Sequence, residues 1–476
     1  MKRYLSLGLI IFLIVVLCII LSETTFVSVD GLMRPPKNEG QNSDIQAAFE
    51  ASIEDKYILK SPLSGEYKSS FITVELDGDR DEEVVVFYSL SGTPDAARMN
   101  VIDRQGDSWR SIADFESAHK QIHKVDFADL DKDGKKEIIA GWSIFDTELS
   151  NTLNVYKLKN DGDRLIAEKI FENRYTEFIV CDVNTDGRSD ILLFDKLYEG
   201  NKSLQALYFD FQGARPVLKG EFSVDPIIAS VYSVSLDKDK TNGNVRFYLD
   251  GYRVDNGMTT ELFYWNRAEK SFERPRYSNN VSLPTAATRS TALACADIND
   301  DGVIEIPFEE HIPGSELVSA AKSAPKKQSI IRWMKYNSYG FSSVYYEILN
   351  SPYNYSLKIK NEWYGNFTVK NYSEKGVLTF FSTGDFNEFP IRSFSLGEDA
   401  EKDLNTATDG GKPYYEDDPT ALFTVAAFAE NEGSLYDLSG YRYLKSDNGY
   451  NYYCRIYPEG KKRGITKDTV KKILIT

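Results

Sequence analysis

The chain is poor in the residues that most often perform chemistry. Its 476 residues include four cysteines and three histidines. Cys18, Cys181, Cys295 and Cys454 are too few for a disulfide-built scaffold, and their spacing matches no zinc site. His119 and His123 have no third ligand at zinc-binding spacing, and His311 stands alone. No G-x-S-x-G, H-E-x-x-H or P-loop occurs, and Ser323-Ala-Pro-Lys326 sits in an inserted loop that is the wrong context for a buried nucleophile. The chain is therefore expected not to be an enzyme. Positive charge is also short, with 56 Lys plus Arg against 72 Asp plus Glu and a formal charge of −16. Such a surface repels phosphate backbones, so nucleic acid is not an expected partner.

Long apolar runs are absent except one. Lys2 and Arg3 precede an uncharged stretch from Leu5 to Leu21, the pattern of a signal peptide or N-terminal membrane anchor over residues 1–22. The remainder is expected to be extracytoplasmic, either membrane-anchored or secreted, touching the membrane through this segment only. Leu17 precedes Cys18 where a lipoprotein signal requires a small residue. Residues 23–56 read as a spacer containing Pro35 and Pro36, followed by a short helix near Asp44 to Asp55. Ser43 is its expected cap, and Ile45, Ala48, Phe49 and Ile53 share one face.

Aromatic residues are plentiful: 30 Tyr and 27 Phe favour half-buried pleated surfaces and so a mainly β fold. Five acidic segments repeat along the middle of the chain. They are Glu75-Leu-Asp77-Gly-Asp79-Arg-Asp-Glu-Glu83, Asp129-Leu-Asp131-Lys-Asp133-Gly-Lys-Lys-Glu137, Asp182-Val-Asn184-Thr-Asp186-Gly-Arg-Ser-Asp190, Ser235-Leu-Asp237-Lys-Asp239, and Asp297-Ile-Asn299-Asp-Asp301-Gly-Val-Ile-Glu305. Their third positions, 77, 131, 184, 237 and 299, are spaced by 54, 53, 53 and 62 residues. Strand-like stretches enter and leave each segment, and two more follow before the next one. Four short antiparallel strands per repeat predict a β-propeller of about five four-stranded blades over residues 57–350. An open array of tandem hairpins is the alternative. The fifth blade carries an insertion around Ile312 to Lys327.

The acidic spacing suits calcium, a hard cation that takes six to eight oxygens. Side chains at positions 1, 3, 5 and 9 and a carbonyl at 7 would supply them, with glycine at position 6 turning the chain at positive φ. Four loops look competent: Glu75, Asp77, Asp79 and Glu83; Asp129, Asp131, Asp133 and Glu137; Asp182, Asn184, Asp186 and Asp190; Asp297, Asn299, Asp301 and Glu305. The first has Arg80 in place of glycine. The fourth copy, with Ser235, Asp237 and Asp239, has no acid at position 9 and is a doubtful fifth site. The acid at position 9 and the flanking strands separate all of these from an EF-hand. An Asp-rich turn without metal is the plain alternative.

In these quoted loops the chain resembles the FG-GAP, or VCBS, repeat family of integrin-like propellers. The resemblance spans about Phe71 to Asn350. It implies calcium-binding blades and a role in adhesion or ligand binding. The chain departs from the family in its degenerate fourth loop, in Arg80, and in having five recognisable repeats. After Ser351 the acidic motif stops. Strands are expected at Asn354–Lys360, Asn366–Val369, Val377–Phe381 and Ala421–Phe428, then a hairpin about Asp447-Asn-Gly and a helix from Thr466 to Ile473. Residues 351–476 thus read as a small α+β domain. Its aromatics, among them Trp363, Tyr364, Tyr414, Tyr415, Tyr450, Tyr452 and Tyr453, suit core packing better than sugar stacking. The function expected is a binding or adhesion module for glycan or protein ligands. A non-catalytic scaffold of the cell envelope is the alternative, and a carbohydrate-active enzyme a more distant one.

Overall fold

A computed structural model describes residues 41–106, 108–143, 151–161, 164–196, 203–315, 328–337, 339–372, 376–383, 420–431 and 438–476. The N-terminal apolar run, the spacer prolines, most of the Ile312 to Lys327 insertion, Tyr414 and Tyr415 lie outside the described residues. The chain divides into two compact units, Met1–Val125 with Leu158–Glu168, and Asp126–Lys157 with Lys169–Thr476.

The protein is mainly β, built as antiparallel sheets of four or five strands. Helix α1, Gln41–Ser52, begins earlier than Ser43, whose hydroxyl bonds the neighbouring Asp44 carboxylate and does not start the helix. Its predicted apolar face holds, with Ile45 and Phe49 buried against Val84, Val86 and Tyr88. These belong to the first sheet, made of Tyr57–Leu59, Phe71–Val74, Glu83–Leu90, Thr93–Gln105 and Ser108–Glu116.

Three further sheets use consecutive strands in order. Gln121–Ala128, Glu137–Ser143, Asn151–Asp161 and Arg164–Tyr175 make the second, and Glu177–Cys181, Asp190–Lys196, Leu204–Gln212 and Arg215–Ser223 the third. The fourth comprises Ser230–Lys238, Val245–Tyr252, Met258–Asn266 and Ser271–Glu273. Each second strand is buried nearly throughout, as in Glu137–Ser143, because both of its faces meet side chains. In the larger unit neighbouring sheets share cores. Ile139 and Leu153 of the second pack with Ile191, Leu193 and Phe209 of the third. Leu192, Phe194 and Phe222 of the third pack in turn with Phe247, Phe263 and Trp265 of the fourth. The approach is close: a Cβ on Gly220 would stand 2.5 Å from Trp265.

The fifth sheet holds Glu305–His311, Ser329–Asn337, Gly340–Asn350, Tyr355–Ile359 and the terminal Leu474–Ile475. Two expectations fail here. Ala292 to Ala296 is not a full strand but a single bridge from Ala296 to Glu305. Asn354–Lys360, grouped by sequence with the later strands, instead extends the fifth sheet by pairing with Gly340–Asn350. The turn at Ser351–Tyr353, closed by Asn354 at φ 50°, folds it back. The sixth sheet joins Phe367–Tyr372, Val377–Ser382, Ala421–Ala429, Tyr450–Ile456 and Arg442–Asp447. Its hairpin turns through Asn448 and Gly449, both at positive φ. The expected terminal helix is present at Lys467–Ile473 with a Thr466–Thr469 capping box. Val470 and Ile473 share one core with Leu357, Leu378 and Phe423.

A fully buried ion pair ties the segment before the fifth sheet to the fourth. Arg289 Nη2 lies 2.7 Å from Asp250 Oδ1, and both side chains are wholly inaccessible. The guanidinium also donates to Thr260 Oγ1 and to the Leu293 and Ala287 carbonyls, while Asp250 Oδ2 accepts from the Cys295 amide. Replacing Arg289→Met would leave Asp250 charged and unpaired, so urea denaturation should show a loss of about 3–5 kcal/mol. Arg253→Met, which breaks a pair with the exposed Asp255, should cost under about 1 kcal/mol.

Glu261 in the same sheet supplies a pH signature. Burial pushes its carboxyl up to about 7, with Arg274 and the Asp225 amide pulling the other way. A folded-state value above the unfolded one means that folding takes up a proton in this range. The stability Glu261 contributes is therefore present below about 4.5 and lost as pH rises through about 7. Glu261→Gln should unfold with a weaker pH dependence than the parent between these limits, measured by denaturation at each pH.

Candidate metal centre

Four of the acidic segments form one recurring loop. In each, the carboxylate at position 9 turns inward and accepts the amide N–H of position 2. Leu76 donates to Glu83 at 2.6 Å, Leu130 to Glu137 at 2.8 Å, Val183 to Asp190 at 3.0 Å and Ile298 to Glu305 at 3.1 Å. In the second, third and fifth copies the first carboxylate accepts the amides of positions 5 and 6, as Asp129 does from Asp133 and Gly134. The acid at position 5 accepts the amide of position 7 in all four.

The backbone repeats as closely. Position 4 is left-handed in Gly78, Lys132, Thr185 and Asp300, and position 6 in Arg80, Gly134, Gly187 and Gly302. Arg80 therefore does what glycine does elsewhere, at φ 81° against 87° for Gly134. The first loop places its glycine at position 4 instead.

The fourth copy is not such a loop. Ser235 and Asp237 lie within the strand Ser230–Lys238. Asp237 takes two bonds from Arg246, at 2.6 and 2.8 Å, and others from Tyr248 and the Ile304 amide. Asp239 caps Thr241. Asp237 and Asp239 both face the Arg246 guanidinium, 2.6 and 3.6 Å away, while Ser235 donates to the Cys295 carbonyl.

The four position-9 acids are buried: Glu83, Asp190 and Glu305 are 0 % exposed and Glu137 is 1 % exposed. Burial pushes Glu83 up to about 8, with Asp77, Asp103 and Asp79 adding repulsion, and Asp190 up to about 7. It also lifts Glu137 and Glu305 above the ordinary range. What meets the second oxygen differs. Glu137 Oε1 takes the Lys157 ammonium at 3.0 Å, and Glu305 Oε1 the Asn299 amide at 3.4 Å. Glu83 Oε1 and Asp190 Oδ1 have no hydrogen-bond partner. Leaving a buried acceptor unsatisfied costs about 1–3 kcal/mol, and more when it is charged.

Two loops bring three carboxylates within 4.8 Å of one another, Glu75 with Asp77 and Glu83, and Asp129 with Asp131 and Glu137. The first fits a hard divalent cation: its donors are all oxygens, and Glu83 Oε1 lacks a partner. In the second, Lys157 Nζ lies among the same groups, 2.6 Å from Asp131, 2.8 Å from Asp133 and 3.0 Å from Glu137. Although burial works against its charge, these three carboxylates hold the Lys157 ammonium above its ordinary value. In the third and fifth loops Asn184 and Asn299 spend their side-chain oxygens on the amides of Asp186 and Asp301.

Sequence reasoning missed the residue that faces position 9 across the next strand pair. By continuation of the strand registers, Glu83 stands opposite Asp103, Glu137 opposite Lys157 and Asp190 opposite Asp210, while Glu305 pairs directly with Lys335. The signal was available, since Asp103, Lys157 and Asp210 each follow their acid by 20 residues. Several of the described C-terminal aromatics take part in packing. Tyr452 is fully buried, Trp363 packs near Phe423, and Tyr364 stacks on Tyr346 at 3.9 Å and donates to Glu310.

Fold and site define an antiparallel β protein in which one acidic loop recurs four times, each copy leading into a strand through its buried ninth residue. No protein-family model matches the chain, and no curated protein matches it.

The left-handed turn can be tested by itself. No atom lies within 4 Å of a Cβ built on Gly134, so Gly134→Ala changes strain without a clash. It should lower stability by about 1 kcal/mol in denaturant melts. Gly92→Ala, equally open and without a positive φ, should lose nothing.

Proposed function

We propose that the chain is an exported, calcium-stabilised β-propeller of five blades that acts as a binding module for a protein or glycan ligand. The observation that carries this reading is one acidic loop at the entry to a strand in four sheets, lying between the first and second strands in the second and third sheets, which share a core. A blade buries its faces only by stacking on the next, which is how the second to fourth sheets meet. Calcium in such a loop would neutralise converging carboxylates and fix the hairpin; no chemical step is assigned to it. The N-terminal apolar run supports export.

Of the two ligand classes, the C-terminal aromatics favour protein. A ring buried inside the fold, such as Tyr452, is unavailable to lie on a sugar face. The scaffold alternative uses the same surfaces and differs in requiring a fixed partner.

The full-length chain, immobilised and probed against a glycan array and against defined extracellular proteins, should retain ligand in calcium and release it in EDTA. Turnover of a polysaccharide, abolished by one carboxylate change outside the acidic loops, would instead make the chain an enzyme and overturn the reading.

A further inference from the structure

Four repeats carry a cation of their own. Lys157 Nζ sits among Asp131, Asp133 and Glu137. Arg188, seventh in its loop, places Nη2 2.8 Å from Asp186 Oδ2 and 3.4 Å from Asp210 Oδ1. Arg246 takes Asp237 with two bonds, and Lys335 lies 3.3 Å from Asp301. The first repeat differs at Glu75, Asp79 and Glu83. Among the described residues, no lysine or arginine pairs with Glu75, Asp79 or Glu83. Arg104 reaches only Asp81 at the rim, 3.5 Å away. At the position that Lys157 takes in the second repeat, the first has the buried acid Asp103.

We propose that Lys157 is a built-in cation that takes the metal's place in the second repeat, leaving the first repeat as the divalent-cation site. The assignment rests on the calcium reading above and narrows it. An ammonium 2.6 to 3.0 Å from three carboxylate oxygens stands where a metal ion about 2.3–2.6 Å from the same oxygens would stand. The two exclude each other. The Lys157 side chain is only 15 % exposed, so its stem holds the charge in place and a metal would have to expel it. In the first loop Glu83 is wholly buried, its Oε1 lacks a donor, as Asp131 Oδ1 does in the second, and Asp103 adds negative charge where the second loop has Lys157. A divalent ion among Glu75, Asp77 and Glu83 supplies the partner that Glu83 Oε1 lacks and offsets the charge of Glu83 and Asp103. The third loop also leaves Asp190 Oδ1 without a donor, but Arg188 already spans Asp186 and Asp210.

The test is calcium stoichiometry by equilibrium dialysis on the full-length chain and on Lys157→Met, Lys157→Asp, Glu83→Gln and Asp131→Asn, with thermal unfolding in EDTA and in calcium. The parent should bind one ion, both Lys157 variants two, and Glu83→Gln none. Without metal, the Lys157 variants should melt below the parent, because three carboxylates are left facing one another. Calcium should restore them, which also shows that they fold. Equal stoichiometry in parent and Lys157 variants, with an ion that Asp131→Asn removes from the parent, would overturn the proposal and leave the calcium reading intact. No ion in the parent and one in Lys157→Asp would uphold the role of Lys157 and refute calcium at the first loop. No ion in any of them would refute both.

Discussion

Each repeat depends on one buried carboxylate. Glu83, Glu137, Asp190 and Glu305 each start the strand that leaves their loop, and each reaches back to hold the amide of the loop's second residue. That bond closes the hairpin and satisfies an amide that the turn removes from the ladder. It also brings a charge out of water, and the charge has to be answered from nearby. The remaining acids of the loop follow from this closure. Once the chain turns through two left-handed residues, the carboxylates at positions 1 and 5 are needed to cap the amides exposed by the turn. The acidic motif is thus first a way of making a tight hairpin, and only then a cluster attractive to cations.

How the charge is answered differs between repeats, and side chains on other strands decide it. A lysine opposite position 9 neutralises the second loop, and another stands opposite Glu305 in the fifth. In the fourth repeat the exchange is complete. Arg246 clamps Asp237, the entering strand runs on to Lys238, and the loop is gone. The first repeat keeps an acid in that position and a buried oxygen without a donor. A repeat that began as four equivalent sites on paper is therefore a graded series in space.

Much of the fold was legible in the sequence. Strand entry and exit at the first four acidic segments, the Phe49 face of the first helix, the Asn448-Gly449 hairpin and the Thr466 cap follow from local patterns and are present. The failures have a common cause. Ala292 to Ala296 has strand composition, but only Ala296 finds a ladder partner. Asn354–Lys360 reads as a strand from its residues, yet its sheet is chosen by the turn before it. Arg80 breaks the glycine rule by adopting the left-handed backbone itself, and nothing in the structure explains its choice there. The candidate site was half legible. Spacing along one loop gave every carboxylate, whereas Lys157 and Asp103 act across a strand pair and emerge only when the repeats are compared 20 residues downstream.

Charge balance within the loops is the central claim, and anomalous diffraction from crystals of the chain grown with a lanthanide tests it most directly. One strong peak among Glu75, Asp77 and Glu83, with the Lys157 ammonium ordered between Asp131, Asp133 and Glu137, is the predicted result. A peak of equal strength in the second loop, with Lys157 turned out of it, would contradict the account.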